Sequence, residues 1–223
     1  MPPADAPANL ADQVADTLRT ELMHGAFAPG QRLSESTLCE RLGVSRNTLR
    51  EAFRLLTKDG LLTHTPNRGV FVGMPSMAAI IDIYRVRRMV ECHAMAQAYP
   101  LHPAKKRMRS AVEQALAARE VRDWNAVGSS NMDFHMAVVE LADSERTNTW
   151  FAQVLAELRL AFGLMHDPEF LHAPYVDRNQ EILELVLANQ FSQAAQALHD
   201  YLTHSERIVL AVHARQLAAT KGH

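Results

Sequence analysis

Leu10, Val14, Leu18 and Leu22 recur every four residues, which places them along one side of a helix. That stripe stops where Gly25, Pro29 and Gly30 force a loop. Ser34 is a good N-cap for a second, short helix carrying Leu38 and Leu42, and Gly43 ends it. Ser45 caps a third helix two residues later, with Leu49, Ala52, Phe53 and Leu56 on its apolar side and Gly60 past its end. Residues 61–72, LLTHTPNRGVFV, hold two β-prone runs around Pro66-Asn67-Arg68-Gly69, which is hairpin chemistry. After GMPSM, residues 73–77, strand signals stop. Helical stripes run through 80–98, 105–118, 124–142, 148–165, 175–188 and 191–217. Pro100, Pro103, Asp143, Pro168, Pro174 and the segment 188–190 separate them.

The order helix, helix–tight turn–helix, hairpin predicts a winged helix-turn-helix. The six helices beyond it predict an all-α bundle with its own core. The expected organisation is mainly α: a disordered tail over 1–8, a winged helix-turn-helix over 9–73, a linker over 74–77 and a helical domain over 78–218.

Charge sharpens this picture. The 223-residue chain carries a net charge of −2, so it is no basic nucleic-acid coat. Between residues 41 and 68, however, six cations (Arg41, Arg46, Arg50, Arg54, Lys58, Arg68) face two anions (Glu51, Asp59), a local balance of +4. The remainder is correspondingly acidic, which confines nucleic-acid contact to this region. Two cysteines, Cys39 and Cys92, make neither a disulfide framework nor a zinc motif. The start MPPADAPANL lacks the cationic region and apolar run of a signal peptide, and no apolar run approaches the ~18 residues that span a bilayer. A reduced, cytoplasmic protein with no membrane partner is expected.

The third helix opens with Arg46 and Arg50 one turn apart. A helix N-terminus carries partial positive charge and by itself favours acidic groups. Cations there point to an external polyanion. Arginine can place two donors on guanine O6 and N7 or clamp a phosphate. Ser45, Asn47 and Thr48 bring hydroxyl, amide and backbone N–H groups that can hold phosphates at the same end, although capping by Ser45 is expected as well. Arg54 and Lys58 lie further along, facing solvent or phosphate. At the hairpin tip Gly69 permits close backbone approach, and Arg68 can enter a minor groove.

In the helical domain polar residues interrupt apolar stripes. Arg87 lies with Ile80, Tyr84 and Glu91; Asn131 and His135 with Phe134 and Val138; Asn179 with Ile182, Leu183 and Val186; Tyr201 with Leu198, Leu202 and Ser205. Such groups are costly to bury unless paired. Taken alone they are either separately satisfied core residues, with Arg87 paired to Glu91, or the walls of one polar cavity.

The succession PGQ-L, LGVSR, LREA, DGLL and RG-FV over residues 10–73 resembles the GntR family of bacterial transcription regulators. The remainder is similar to the helical FCD effector domain of its FadR-type branch, carried by YRVRRMVE at 84–91, NMDFH at 131–135 and AAQALHDYL at 194–202. Six helices point to the shorter, VanR-like variant. The resemblance implies a homodimer that binds a palindromic double-stranded DNA operator and responds to a small acid or metal-bound ligand in the helical domain. Ser36 stands where some relatives carry arginine, implying one fewer phosphate contact or a different operator.

The resemblance favours a shared pocket of Arg87, Asn131, His135, Asn179 and Tyr201, and the Arg87 guanidinium is the candidate to meet a carboxylate on the effector. Many FCD domains hold a divalent ion with an Asp, a His one turn on and two further histidines. Here only His135 remains, and Asn131, Asn179 and Tyr201 stand at the other three places. Amides and a phenol are poor replacements for carboxylate and imidazole, so no metal and no cofactor are expected. His199 and His204 are five apart, which does not suit one helix face. A metal-dependent sensor of the same family is one alternative. The other is an enzyme built on the helical domain, against which stand a single pocket histidine and no paired carboxylates. A ligand-responsive regulator, most simply a repressor, is the expected function.

Overall fold

The computed structural model describes residues 9–164 and 167–221, with side chains followed to Arg215; the tail expected over 1–8 lies outside the described residues. Helix α1 (Leu10–Met23) leads through a short strand β1 (Arg32–Leu33) to α2 (Glu35–Leu42) and α3 (Arg46–Lys58). The hairpin β2 (Leu62–Thr65) and β3 (Gly69–Val72) follows. Six helices make the rest: α4 (Met77–Ala96), α5 (Ala104–Glu120), α6 (Trp124–Glu140), α7 (Glu145–Gly163), α8 (Pro168–Leu187) and α9 (Phe191–Lys221).

The caps explain most boundaries. The hydroxyls of Ser34, Ser45 and Ser76 accept from the backbone N–H of Thr37, Thr48 and Ala79, starting α2, α3 and α4. Gly43 ends α2 at φ 65°, a left-handed cap that glycine adopts without a Cβ penalty. In the wing, Arg68 N–H donates to Thr65 O at 3.0 Å, closing a four-residue turn with Pro66 at its second position and Asn67, φ 61°, at its third. That is type II turn chemistry. It sets the register Thr65↔Gly69 and Leu62↔Val72.

The structure corrects the sequence-based expectations in four places. The sheet has three strands in the order β1-β3-β2, because Arg32 and Leu33 pair with Phe71 and Val70; two residues carry no alternation to detect. The inner face of α1 starts at Ala11, while Leu10 is exposed. Helix α7 begins at Glu145, where Ser144 caps it, rather than at 148. Helix α8 begins at Pro168, capped by Asp167, and runs straight through Pro174. Pro168 suits the first helical position, where its missing N–H would be unpaired anyway. Pro174 costs a helical hydrogen bond. The buried Leu171, His172, Tyr175 and Val176 on both sides of it hold the helix in place.

Val14, Leu18 and Leu22 of α1 pack with Leu49, Phe53 and Leu56 of α3 in one core that continues into the helical domain. Burying each large side chain of this kind contributes about 1.5–3 kcal/mol. In the helical domain α4 pairs with α9 and α5 with α6. The winged head rests on α6 and α7. His24, just past α1, lies 3.3 Å from Asp133 of α6, and its carbonyl accepts from Ser129 Oγ at 3.2 Å. A Cβ on Gly163 of α7 would stand 2.7 Å from the Pro29 ring.

Candidate functional site

The surface expected to meet DNA is largely solvent-facing. Arg46 is the first residue of α3, no acidic residue stands in that first turn, and Ser45, Arg46, Asn47, Arg50, Arg54 and Lys58 are exposed. Thr48 is half-buried, its hydroxyl 2.9 Å from Ser45 Oγ. Leu49, Ala52, Phe53 and Leu56 on the opposite side are buried, so packing fixes which way the arginines point. Arg68 projects from the wing tip beside Gly69, whose φ of 105° favours a glycine.

The structure adds two residues that the sequence pattern missed. Arg32 of β1 lies against the wing: a Cβ on Gly69 would stand 3.4 Å from its Nε. Glu35, first in α2, pairs with Arg50. Arg41 is taken up by Glu21 at 2.6 Å. Arg46, Arg54, Lys58 and Arg68 make no ion pair among the described residues. Arg32 was legible as the cation inside the PGQ-L stretch, between Gln31 and Leu33, but nothing in the pattern signalled its strand.

In the helical domain the five expected pocket residues come together with Glu91 in one buried network. Arg87 Nε donates to Glu91 Oε1 at 2.6 Å, and His135 Nδ1 donates to Glu91 Oε2 at 2.5 Å. Burial by itself would raise the Glu91 carboxyl, but Arg87 and His135 hold it below the ordinary carboxylate range. Burial lowers His135 in spite of Glu91, which keeps the ring neutral. Its Nε2 is then an acceptor, 3.0 Å from the Tyr201 hydroxyl. That hydroxyl also stands 2.9 Å from Asn131 Oδ1, which accepts from Asn179 Nδ2 at 2.7 Å. One phenolic proton faces two acceptors, so the network is a donor short.

Further groups lack partners. Arg87 Nη2 and Asn179 Oδ1 are buried with no hydrogen bond among the described residues. Arg87 is among the largest fully buried side chains and lies over the Tyr84 ring at 5.2 Å. Glu91 had counted in the sequence only as a partner for Arg87; here it also anchors the histidine.

The donor set does not suit a transition metal. Both ring nitrogens of His135 are engaged, and Glu91 is shared between two cationic or N–H donors. Among the described residues no three His, Cys, Asp or Glu side chains group as metal ligands.

A second buried cluster joins the head to the helical domain. Arg159 of α7 donates through Nη2 to Asn125 Oδ1 at 2.5 Å, and its Nη1 stands 3.2 Å from His172 Nε2. A Cβ on Gly128 would lie 2.2 Å from Arg159 Nη1, and one on Gly25 of the head 2.7 Å from Nη2. Burial lowers Arg159 to about 10. Burial and the neighbouring guanidinium lower His172 to about 3. The signal was present: Arg159 shares the stripe of Phe151, Leu155 and Phe162.

No helix among the described residues is long and apolar enough to cross a membrane. Residues 10–72 match the model of bacterial regulatory proteins of the gntR family, and residues 82–204 match the FCD domain. The HTH-type transcriptional repressor RspR of Escherichia coli K12 is 30% identical over 178 residues, covering 74% of this chain and 75% of the repressor. The galactonate operon transcriptional repressor of the same organism is 30% identical over 138 residues, 61% of this chain and 56% of that protein. Among solved structures, a GntR transcriptional regulator from Rhodococcus sp. RHA1 superposes with a TM-score of 0.83 at 39% identity, covering 90% of this chain and 97% of that one. Escherichia coli McbR/YncC shares the fold at a TM-score of 0.78 and 22% identity. Winged head, exposed arginines and six-helix domain therefore have one explanation: this chain is a DNA-binding transcription regulator, not an enzyme, and belongs to the GntR family, in the branch whose second domain is an FCD domain.

Proposed function

We propose that this protein is a cytoplasmic, ligand-responsive repressor that binds a palindromic operator as a homodimer and senses a small organic acid. The observation that carries the effector assignment is the buried network, with its unpartnered donor on Arg87 and unpartnered acceptor on Asn179. Unpaired buried polar groups are costly, and a ligand that pairs them binds selectively. Arg87 Nη2 calls for an acceptor such as a carboxylate. Asn179 Oδ1, and whichever of His135 and Asn131 the Tyr201 proton leaves, call for donors such as hydroxyl groups. A hydroxy acid supplies both.

Repression and an acid effector are supported by relatives: two are named repressors, and one of those takes its name from the operon of a sugar acid, galactonate. Transmission is supported by α6. One side of it carries Asn131 and His135 of the network; Asn125, Ser129 and Asp133 of the same helix meet the head or the Arg159 cluster. An effector can regulate only if it favours one arrangement of the heads. A helix held on two sides in this way supplies a route.

The test is calorimetric titration of the full chain with a panel of short mono- and polyhydroxy acids, followed by gel shifts on its selected DNA. At least one acid should bind stoichiometrically, weaken DNA binding, and lose its affinity in Asn179→Leu. Acids that bind equally to Asn179→Leu would place the effector elsewhere.

A further inference from the structure

Arg50 is the one cation of the DNA-facing helix α3 whose ion pair reaches across to α2. Its Nε stands 3.1 Å from both oxygens of Glu35, and its Nη2 lies 3.0 Å from Oε2. Glu35 also raises the Arg50 pKa, through the hydrogen bond first and its charge second. The pair is solvent-facing, with Arg50 57% and Glu35 33% exposed.

A guanidinium offers two edges from which two parallel N–H donors can be presented. Glu35 occupies the Nε–Nη2 edge. The Nη1–Nη2 edge remains, at the far end of the side chain and aimed away from the carboxylate. An end-on fork of that kind matches guanine O6 and N7 in the major groove. A long arginine otherwise samples many rotamers, and a carboxylate on its inner edge restricts them before DNA arrives. The same carboxylate cancels much of the charge that would draw Arg50 to a phosphate and repels the DNA backbone nearby. Arg46, one turn earlier, makes no ion pair among the described residues and keeps its full charge.

We propose that Glu35 is a specificity-determining residue: its carboxylate holds Arg50 end-on toward a guanine and disfavours its use as a phosphate clamp. Glu35 is a positioning residue and acts through Arg50. The inference rests on the operator binding proposed above, with the exposed Arg50 of α3 facing that DNA. The bland alternative is that Glu35 only stabilises α2, whose first turn favours an acidic group.

The experiment measures fluorescence anisotropy of the full chain, across a salt series, on a duplex selected by the wild-type protein and on a scrambled duplex of equal length. Arg50→Ala comes first. If it binds both duplexes as the wild type does, Arg50 is no reader and the underlying assignment fails whatever Glu35 does. If it loses selectivity, the Glu35 variants decide. Glu35→Gln should bind scrambled DNA more tightly, with a salt slope steeper by about one phosphate contact. Its preference for selected over scrambled DNA should fall by about tenfold. Glu35→Asp keeps the charge at the start of α2 but falls short of Arg50, so it should lose preference for the selected duplex without gaining on the scrambled one. Melting temperature reports the fold in each case. Selectivity retained to within about twofold in both Glu35 variants, while Arg50→Ala loses it, would overturn the positioning role. So would Glu35→Asp behaving as wild type beside a destabilised Glu35→Gln, which is the signature of helix stabilisation alone.

Discussion

Arg46 and Arg68 are proposed to do different work, although both are exposed and make no ion pair among the described residues. Arg46 opens α3, whose inner face is locked by Leu49 and Phe53, so its direction is set by packing. Arg68 sits on a wing tip held by a turn. Replacing Arg46 with Ala is expected to remove discrimination worth about 1–3 kcal/mol per half-site, with an unchanged circular dichroism spectrum. Arg68→Ala is expected to weaken all duplexes alike and to flatten the salt dependence by about one contact. Anisotropy on selected and scrambled DNA checks both; equal loss on both duplexes in Arg46→Ala would remove it from the readers. The positions of both could be read from sequence because each depends on local periodicity and turn chemistry. Glu35 could not, since its partner is fifteen residues away on another helix.

At the scale of elements, caps and breakers marked α2 and α3 well, because serine hydroxyls and glycine φ angles act within a few residues. The start of α8 was hidden, because Pro174 signals a break that tertiary packing overrides. Arg87, Asn131, His135, Asn179 and Tyr201 were visible as polar interruptions of apolar stripes; which atoms they pair was not, since that depends on how α4, α6, α8 and α9 meet. Helix α8 also yields a pH prediction. His172 accepts from Arg159 only when neutral, and its folded pKa of about 3 lies below its ordinary value. A depressed pKa means that the unfolded chain binds more protons below about pH 6.5. The stability from a neutral His172 is therefore present above about pH 6.5 and is lost as pH falls toward 3. Between pH 7 and pH 5 the loss from this group is about 2 kcal/mol. His172→Gln keeps an acceptor but cannot titrate. Its urea midpoint should fall less than that of the wild type over the same interval; parallel pH profiles would show that His172 is not the group responsible.

At the scale of the whole molecule, the head is seated on the helical domain: α1 packs against α7, His24 meets α6, Gly25 the Arg159 cluster, and Pro29 α7. The head's placement follows the helical domain, and in a homodimer it follows the two-fold axis. One winged helix reads only a short half-site, so two heads related by that axis call for an inverted repeat. The most direct test is selection of bound duplexes from a random DNA pool by the full chain, with the mass of the resulting complex measured by light scattering. The account predicts an enriched inverted repeat whose half-sites are separated by about one helical turn, bound by two chains per duplex. A single uninverted half-site bound by one chain, or no enriched motif at all, would contradict it.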